Sequence, residues 1–108
     1  MPHAELKFSA DIPLDAPMIL RRIEAVIQQH DESSGACKGR AYPADLFHHS
    51  HVIVDISMLP KSHRDAAFVD ALRVDLAAAV QAMIPVPCYF SLNIGFSGSG
   101  YMTGDHRH

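Results

Sequence analysis

The chain has 108 residues, enough for one domain over residues 1–108, and 48% of them are hydrophobic against 19% charged. This composition excludes an intrinsically disordered chain, since disorder requires low hydrophobicity and a high net charge. The formal net charge of −3, from nine Lys and Arg against twelve Asp and Glu, argues against a function in nucleic-acid binding.

Two cysteines, Cys37 and Cys88, occur outside any CxxC motif. A single disulfide is a thin framework for a domain, so we interpret them as buried thiols in a reducing compartment. No apolar run approaches the ~20 residues of a membrane span, and the first residues lack the basic start and apolar stretch of a signal peptide. We therefore predict a cytoplasmic protein without a membrane partner. The low share of charged residues also indicates that another subunit covers part of its surface.

The first elements predicted are a strand and a helix. Residues 3–9 alternate between apolar and polar side chains, as in a strand with one buried face. Asp15 is the predicted N-cap of a helix that has Pro17 in its first turn and ends near His30. The apolar stripe of this helix consists of Ile19, Leu20, Ile23, Val26 and Ile27.

Two further strands are expected before the second helix. Residues 37–42 could form a short strand, although their pattern is weak, and residues 43–45 are typical of a turn. Residues 52–58 alternate clearly, which predicts another strand with one buried face.

The last third of the chain predicts a helix, a strand and an irregular tail. Ser62 and Asp65 resemble a capping box at the start of the helix, and Pro85 lies beyond its end. Residues 88–96 alternate and predict the final strand, whereas the Gly-, Ser- and His-rich residues 97–108 are expected to be irregular. The apolar stripe of the helix consists of Phe68, Leu72, Leu76, Val80 and Met83.

This order of elements is strand–helix–strand, twice, which predicts two parallel crossover units in an α+β fold. Each helix has one apolar stripe, so both helices can cover the same face of the sheet. The other face then either meets solvent or packs, with trapped water, against copies of itself. It carries small and polar side chains, namely His3, Glu5, Lys7, Asp55, Ser57, Ser91 and Asn93.

Pro2 is the first candidate for chemistry. When the initiator Met1 is removed, Pro2 becomes a secondary amine at the start of a strand. An α-amino group has an ordinary pKa near 8, and burial or nearby cations lower it further, which makes it a good general base near neutral pH. The alternative is that the chain begins Met-Pro for no chemical reason, and a retained Met1 leaves the Pro2 nitrogen acylated.

Three cations are candidates for binding an anionic substrate. Arg40 lies in the weak strand, and Arg64 lies near the start of the second helix, where guanidinium and backbone N–H groups can bind a carboxylate together. Lys38 is two residues before Arg40 and therefore shares its strand face. For each of them the alternative is an ordinary solvated surface cation.

The histidines do not form a convincing metal site. In a strand, His49 and His51 could share an ion but the neighbouring His48 could not, and no carboxylate or thiol is placed near them by spacing. The glycine-rich residues 95–100 follow a strand and open no helix, which argues against phosphate binding. We therefore predict no metal and no cofactor.

Several segments together resemble the tautomerase superfamily, in particular its 5-carboxymethyl-2-hydroxymuconate isomerase family. The resemblance extends from the chain start to about Ile94 and departs from the family's Arg-x-Arg stretch at Lys38. The segments are Met1-Pro2-His3-Ala4, Cys37-Lys38-Gly39-Arg40-Ala41, residues 52–57, Lys61-Ser62-His63-Arg64 and Phe90-Ser91-Leu92-Asn93-Ile94.

The resemblance implies a homotrimer of two-βαβ (MIF-like) subunits, with sheets inward, helices outward and a four-stranded mixed sheet. It implies that Pro2 is the general base of a cofactor-independent keto–enol isomerisation. Arg40 and Arg64, with Lys38, would bind the carboxylates of a 5-carboxymethyl-2-hydroxymuconate-like substrate from aromatic compound degradation. The alternative is a non-catalytic trimeric ligand-binding or assembly module, which Lys38 and a tail unlike the family's would favour.

Overall fold

Two strand–helix–strand units build one four-stranded sheet in the computed structural model, which describes residues 1–107. The strand order is β2-β1-β3-β4. β1 pairs in parallel with β2, β3 pairs in parallel with β4, and the central β1–β3 pair is antiparallel. The predicted α+β fold with a mixed sheet is confirmed. The elements are β1 (His3–Ser9), α1 (Ala16–His30), β2 (Lys38–Ala44), β3 (His51–Met58), α2 (Ala66–Gln81) and β4 (Tyr89–Phe96).

The core lies between the two helices and one face of the sheet. α1 and α2 pack against each other and cover the sheet face that carries the buried side chains of β1 and β3. Burial of each large aliphatic side chain contributes roughly 1.5–3 kcal/mol. Both helices therefore lie on one side, as predicted, and the second sheet face is free within the chain. The largest buried side chains include Leu6, Ile19, Ile23, Ile27, Val54, Ile56, Leu72 and Leu76.

The N-cap residue of α1 is the one predicted from the sequence, whereas the N-cap residue of α2 is not. Asp15 caps α1 by accepting a hydrogen bond from the Met18 N–H at 3.2 Å. The predicted Ser62–Asp65 capping box is wrong. Asp65 is itself the N-cap and accepts from the Phe68 N–H at 2.9 Å, whereas Ser62 lies in the turn before it.

The second strand is longer than predicted. Residues 43–45 were expected to turn, but β2 continues through Pro43 and Ala44, which pair with Phe8 and Ser9. β2 is an edge strand, and an edge strand tolerates proline because one of its sides needs no N–H donor. The long pairing of β1 with β2 therefore overrides the local turn signal.

The remaining segments are turns and loops, apart from a short 3-10 helix at Glu32–Ser34. Residues 97–107 contain no helix or strand, as expected, and His108 lies outside the described residues. Cys37 and Cys88 are free, partly buried thiols. None of the helices in residues 1–107 is both long and apolar enough to cross a membrane.

Candidate functional site

At one end of the sheet, the start of the chain lies close to residues at the ends of all four strands. His3 of β1 pairs with Lys38, the first residue of β2, and with Ser57 near the end of β3. Met58, the last residue of β3, is aligned with Phe96, the last residue of β4. The segments that follow β3 and β4 therefore leave the sheet beside the residue that precedes β1.

Pro2 lies at this end of the sheet and is buried. Its carbonyl accepts a hydrogen bond from the Lys38 N–H at 2.9 Å, which extends the β1–β2 ladder by one residue. This bond holds the start of the chain against β2. The Pro2 nitrogen is an amide while Met1 precedes it, and only removal of Met1 converts it to a basic secondary amine.

Three positive charges act on the amino group at the start of the chain. Burial lowers the pKa of the Met1 amino group, and the charges of Lys61, Arg64 and Lys38 lower it further, in that order of size. Both effects disfavour the protonated amine. The Met1 amino group is therefore neutral over a wider pH range than an ordinary α-amino group.

Arg64 is buried, with its side chain only 1% exposed. Its Nε and Nη2 atoms contact Oδ2 of Asp31 at 2.8 and 2.7 Å, and its Nη1 donates to the Leu59 carbonyl at 2.7 Å. All three guanidinium nitrogens therefore have partners within the chain. The expected contact of Arg64 with a substrate carboxylate stays a prediction, and it would compete with Asp31.

Asp31 stays ionised against the effect of its burial. Burial acts to raise the pKa of this carboxyl, but hydrogen bonds from Ser33, His63 and Arg64 outweigh that effect and hold it well below its usual range. The charge of Arg64 is therefore matched by a fixed negative charge.

Arg40 and Lys38 lie on the free face of the sheet. Gly39, between them, faces α1, since an added Cβ there would meet Leu20 at 3.0 Å, and strand residues alternate in direction. The Arg40 side chain is 41% exposed, and its Nη2 atom lies 3.4 Å from Oε1 of Glu5. The predicted cations thus occupy two places, with Lys38 and Arg40 on the open face and Arg64 in a buried ion pair.

A recess of about 530 Å³ lies on this free face and extends to the end of the sheet where β1 begins. Its lining includes Glu5, Arg40 and Asp55, with the His3 ring between Arg40 Nη1 at 3.5 Å and Tyr101 Oη at 3.4 Å. Burial lowers the pKa of His3, and the charge of Arg40 lowers it further. The free face is polar, as the strand alternation predicted.

A second cavity, of about 410 Å³, lies where the chain leaves β3 and β4. Its walls are Leu59, Pro60, Lys61, Ser97, Gly98, Ser99 and Tyr101. Sequence reasoning gave Lys61 no role. Lys61 follows the end of β3 by three residues and comes near the start of β1 only because these two strands pair antiparallel.

The histidine side chains around the start of β3 contact their own segment. The His51 ring contacts the His49 carbonyl at 2.8 Å through Nδ1, and the His48 and His49 rings lie 4.1 Å apart. Residues 1–107 contain no group of three or more His, Cys, Asp or Glu side chains arranged to hold a metal ion.

Comparison with known proteins identifies the fold. No protein-family model matches the chain, and no curated protein matches it. A crystal structure of a 5-carboxymethyl-2-hydroxymuconate delta-isomerase matches 98% of this chain and 89% of its own, with a TM-score of 0.80 and 15% identity.

Two further solved structures share this architecture. A 5-carboxymethyl-2-hydroxymuconate isomerase from Deinococcus radiodurans R1 matches 97% of this chain and 90% of its own, with a TM-score of 0.68 and 17% identity. A macrophage migration inhibitory factor-like protein from Entamoeba histolytica matches 97% of this chain and 96% of its own, with a TM-score of 0.67 and 16% identity. The fold implied by the sequence resemblance is therefore confirmed.

Proposed function

We propose that this protein is a cofactor-independent isomerase, a keto–enol tautomerase with Pro2 as its general base. Its substrate would be an unsaturated 2-hydroxy dicarboxylate such as 5-carboxymethyl-2-hydroxymuconate. The observation that carries the proposal is the buried position of Pro2 at the end of the sheet, beside Lys61, Arg64 and Lys38, whose charges lower the pKa of the neighbouring Met1 amino group. The shared fold with 5-carboxymethyl-2-hydroxymuconate isomerases is consistent with this chemistry.

The proposed reaction moves one proton and conserves all electrons. The Pro2 nitrogen takes the proton of the substrate's 2-hydroxyl group, and the O–H electron pair forms the C=O bond of the ketone. The electron pair of the C=C bond shifts along the chain, and C3 or C5 takes the proton back from the Pro2 ammonium group. The product is an isomer of the substrate, so no cofactor is needed.

Positive charges near Pro2 would stabilise the negative charge that develops on the dienolate. Lys38 and Arg40 lie on the open face and can contact a carboxylate directly. We propose that Arg64 acts mainly as a positioning residue, because Asp31 and the Leu59 carbonyl already hold its three nitrogens and Asp31 offsets its charge.

We also propose that the protein is a homotrimer in which the free sheet faces turn inward. The support for this is the uncovered sheet face itself, which is polar and holds the recess of about 530 Å³. Such an interface would contain trapped water. Sedimentation equilibrium measures the mass, and a monomer at micromolar concentration would contradict this assembly.

The test of the reaction compares two forms of the same chain, one with Met1 removed and one with Met1 retained, each verified by mass. Ketonisation of 5-carboxymethyl-2-hydroxymuconate is followed by ultraviolet absorbance. We expect kcat/KM to fall at least about a hundredfold when Met1 is retained, since acylation removes the base.

Pro2→Gly is the second variant, and it leaves a primary amine after Met1 removal. Circular dichroism spectra of all forms verify folding. Equal activity of the two forms of the native sequence would refute Pro2 as the base. Absence of turnover in both, with Met1 retained in the natural protein, would favour the non-catalytic ligand-binding or assembly module.

A further inference from the structure

The cavity beside the chain start has one charged wall, an apolar wall and a small polar wall. Lys61 supplies the charge, and Leu59 and Pro60 form the apolar side. Ser97 and Ser99, from the segment after β4, form the small polar wall. A cavity of about 410 Å³ of this kind fits a short carbon chain that ends in an anionic group.

The charge of Lys61 is not neutralised by the chain itself. Its Nζ lies 3.4 Å from the Ser33 carbonyl and 3.3 Å from the Ser33 hydroxyl, which are neutral oxygens. No carboxylate of residues 1–107 lies within ion-pairing distance of it. By contrast, Lys7 pairs with Glu5 at 3.4 Å, and Arg64 pairs with Asp31. Lys61 is therefore a cation available to an anionic ligand.

The segment after β4 is held in place beside this lysine. The Ser97 N–H donates to the Met58 carbonyl at 2.8 Å, and the Tyr101 N–H donates to the Gly98 carbonyl at 3.1 Å. The Tyr101 hydroxyl reaches His3, the residue after Pro2, at 3.4 Å. These contacts place the cavity next to the chain start.

We propose that Lys61, with the hydroxyl groups of Ser97 and Ser99, binds the second carboxylate of a dicarboxylate substrate whose reacting end lies at Pro2. This inference rests on the proposed function and names a specificity-determining residue for it. A lysine ammonium suits this task because it is a compact point charge that needs no bidentate geometry. Leu59 and Pro60 would contact the carbon chain between the two ends.

The proposal is tested by binding, which needs no turnover. Isothermal titration calorimetry measures the affinities of adipate, a saturated dicarboxylate, and hexanoate, the monocarboxylate of equal length. We expect adipate to bind about tenfold more tightly than hexanoate, and Lys61→Gln to abolish this preference. Lys61→Arg is expected to retain most of it.

Lys7→Gln is the matched control, because it removes the same charge from the middle of β1, away from the cavity. An adipate preference that survives in Lys61→Gln, or that is lost equally in Lys7→Gln, would overturn the proposal. Thermal unfolding verifies that each variant is folded.

A kinetic measurement separates this proposal from the proposed function. With Met1 removed and at a pH above the acidic limb of both proteins, Lys61→Gln should raise KM for the dicarboxylate and leave KM for the monoacid phenylenolpyruvate unchanged. A Lys61-dependent preference for adipate without any turnover would refute the isomerase and keep the anion subsite. Turnover with unchanged constants in Lys61→Gln would keep the isomerase and refute the subsite.

Discussion

The carboxylate of Asp31 and the guanidinium of Arg64 form a buried ion pair, with 2.7 Å between Oδ2 and Nη2. Asp31 is the residue after α1, and Arg64 belongs to the turn that leads into α2. The pair therefore joins the two βαβ units on the helix side of the sheet. It also fixes one of the positive charges that act on the chain start.

Asp31→Asn is expected to destabilise the protein strongly. The substitution keeps the size of the side chain but leaves the Arg64 charge buried without a counter-charge. Breaking a buried pair in this way costs roughly 3–5 kcal/mol. Urea denaturation followed by circular dichroism measures the change in the free energy of unfolding.

Asp70→Asn is the control for this substitution. It breaks an ion pair of similar length, 2.8 Å between Asp70 and Arg73, but both side chains are exposed on α2. Exposed pairs of this kind contribute less than about 1 kcal/mol. Equal losses of stability in the two variants would contradict a special role for the buried pair.

The same ion pair predicts loss of stability in acid. The pKa of Asp31 is held far below its usual range in the folded protein, whereas an unfolded Asp titrates near 3.9. The unfolded chain therefore binds a proton first, and the contribution of Asp31 is complete above about pH 4 and is lost as the pH falls below it. Urea midpoints at pH 5, 4 and 3 should fall in the native protein.

Asp31→Asn should show a smaller fall over the same pH range, because its amide does not titrate. Asp70→Asn should keep the native profile. Parallel profiles for the native protein and Asp31→Asn would show that other carboxyl groups cause the acid loss.

The fold was largely predictable because its strands have one buried face and its helices have one apolar stripe. Residues 3–9 and 52–58 alternate with the period of a strand, and the structure has β1 and β3 there. The pattern failed at Pro43, where local turn chemistry and strand pairing conflict. An edge position, which depends on the whole sheet, decided that conflict.

The candidate site was less predictable, because its contacts join residues far apart in the chain. The shared face of Lys38 and Arg40 followed from a period of two. The burial of Arg64 did not follow, because its partner Asp31 is 33 residues earlier. The place of Lys61 beside the chain start depends on the antiparallel pairing of β1 with β3, which no local pattern contains.

Cys37 is expected to react slowly with alkylating agents. Burial raises the pKa of its thiol to about 11, and the nearby Glu24 carboxylate adds to this effect, while Lys38 and Arg40 oppose it. The thiolate is the nucleophile, so its fraction at pH 7 is about a hundredfold smaller than for a thiol of pKa 9.0. Alkylation by iodoacetamide in a Cys88→Ser background, followed by mass spectrometry, measures the rate.

The rate at Cys37 should rise about tenfold per pH unit between pH 7 and pH 10. Glu24→Gln removes the carboxylate charge and should increase the rate at a fixed pH. A native rate at pH 7 equal to that of a free cysteine peptide would contradict the raised pKa.

The charge of Lys61 should be visible in the pH dependence of the proposed reaction. In the form without Met1, the acidic limb of kcat/KM reports the pKa of the Pro2 amine in the free enzyme. A positive charge lowers the pKa of an amine, so Lys61→Gln should raise it and move the limb to higher pH.

Lys38→Gln should move the acidic limb in the same direction but less far, because its charge has the smallest effect of the three on the neighbouring Met1 amino group. Lys7→Gln, which removes an equal charge from the Glu5 pair, should leave the limb in place. Proline 15N chemical shifts, measured against pH in each variant, give the pKa without turnover. The acidic limb of kcat/KM could instead move to lower pH in Lys61→Gln, or move equally in Lys7→Gln. Either result would contradict the view that the cations at this end of the sheet lower the pKa of the Pro2 amine.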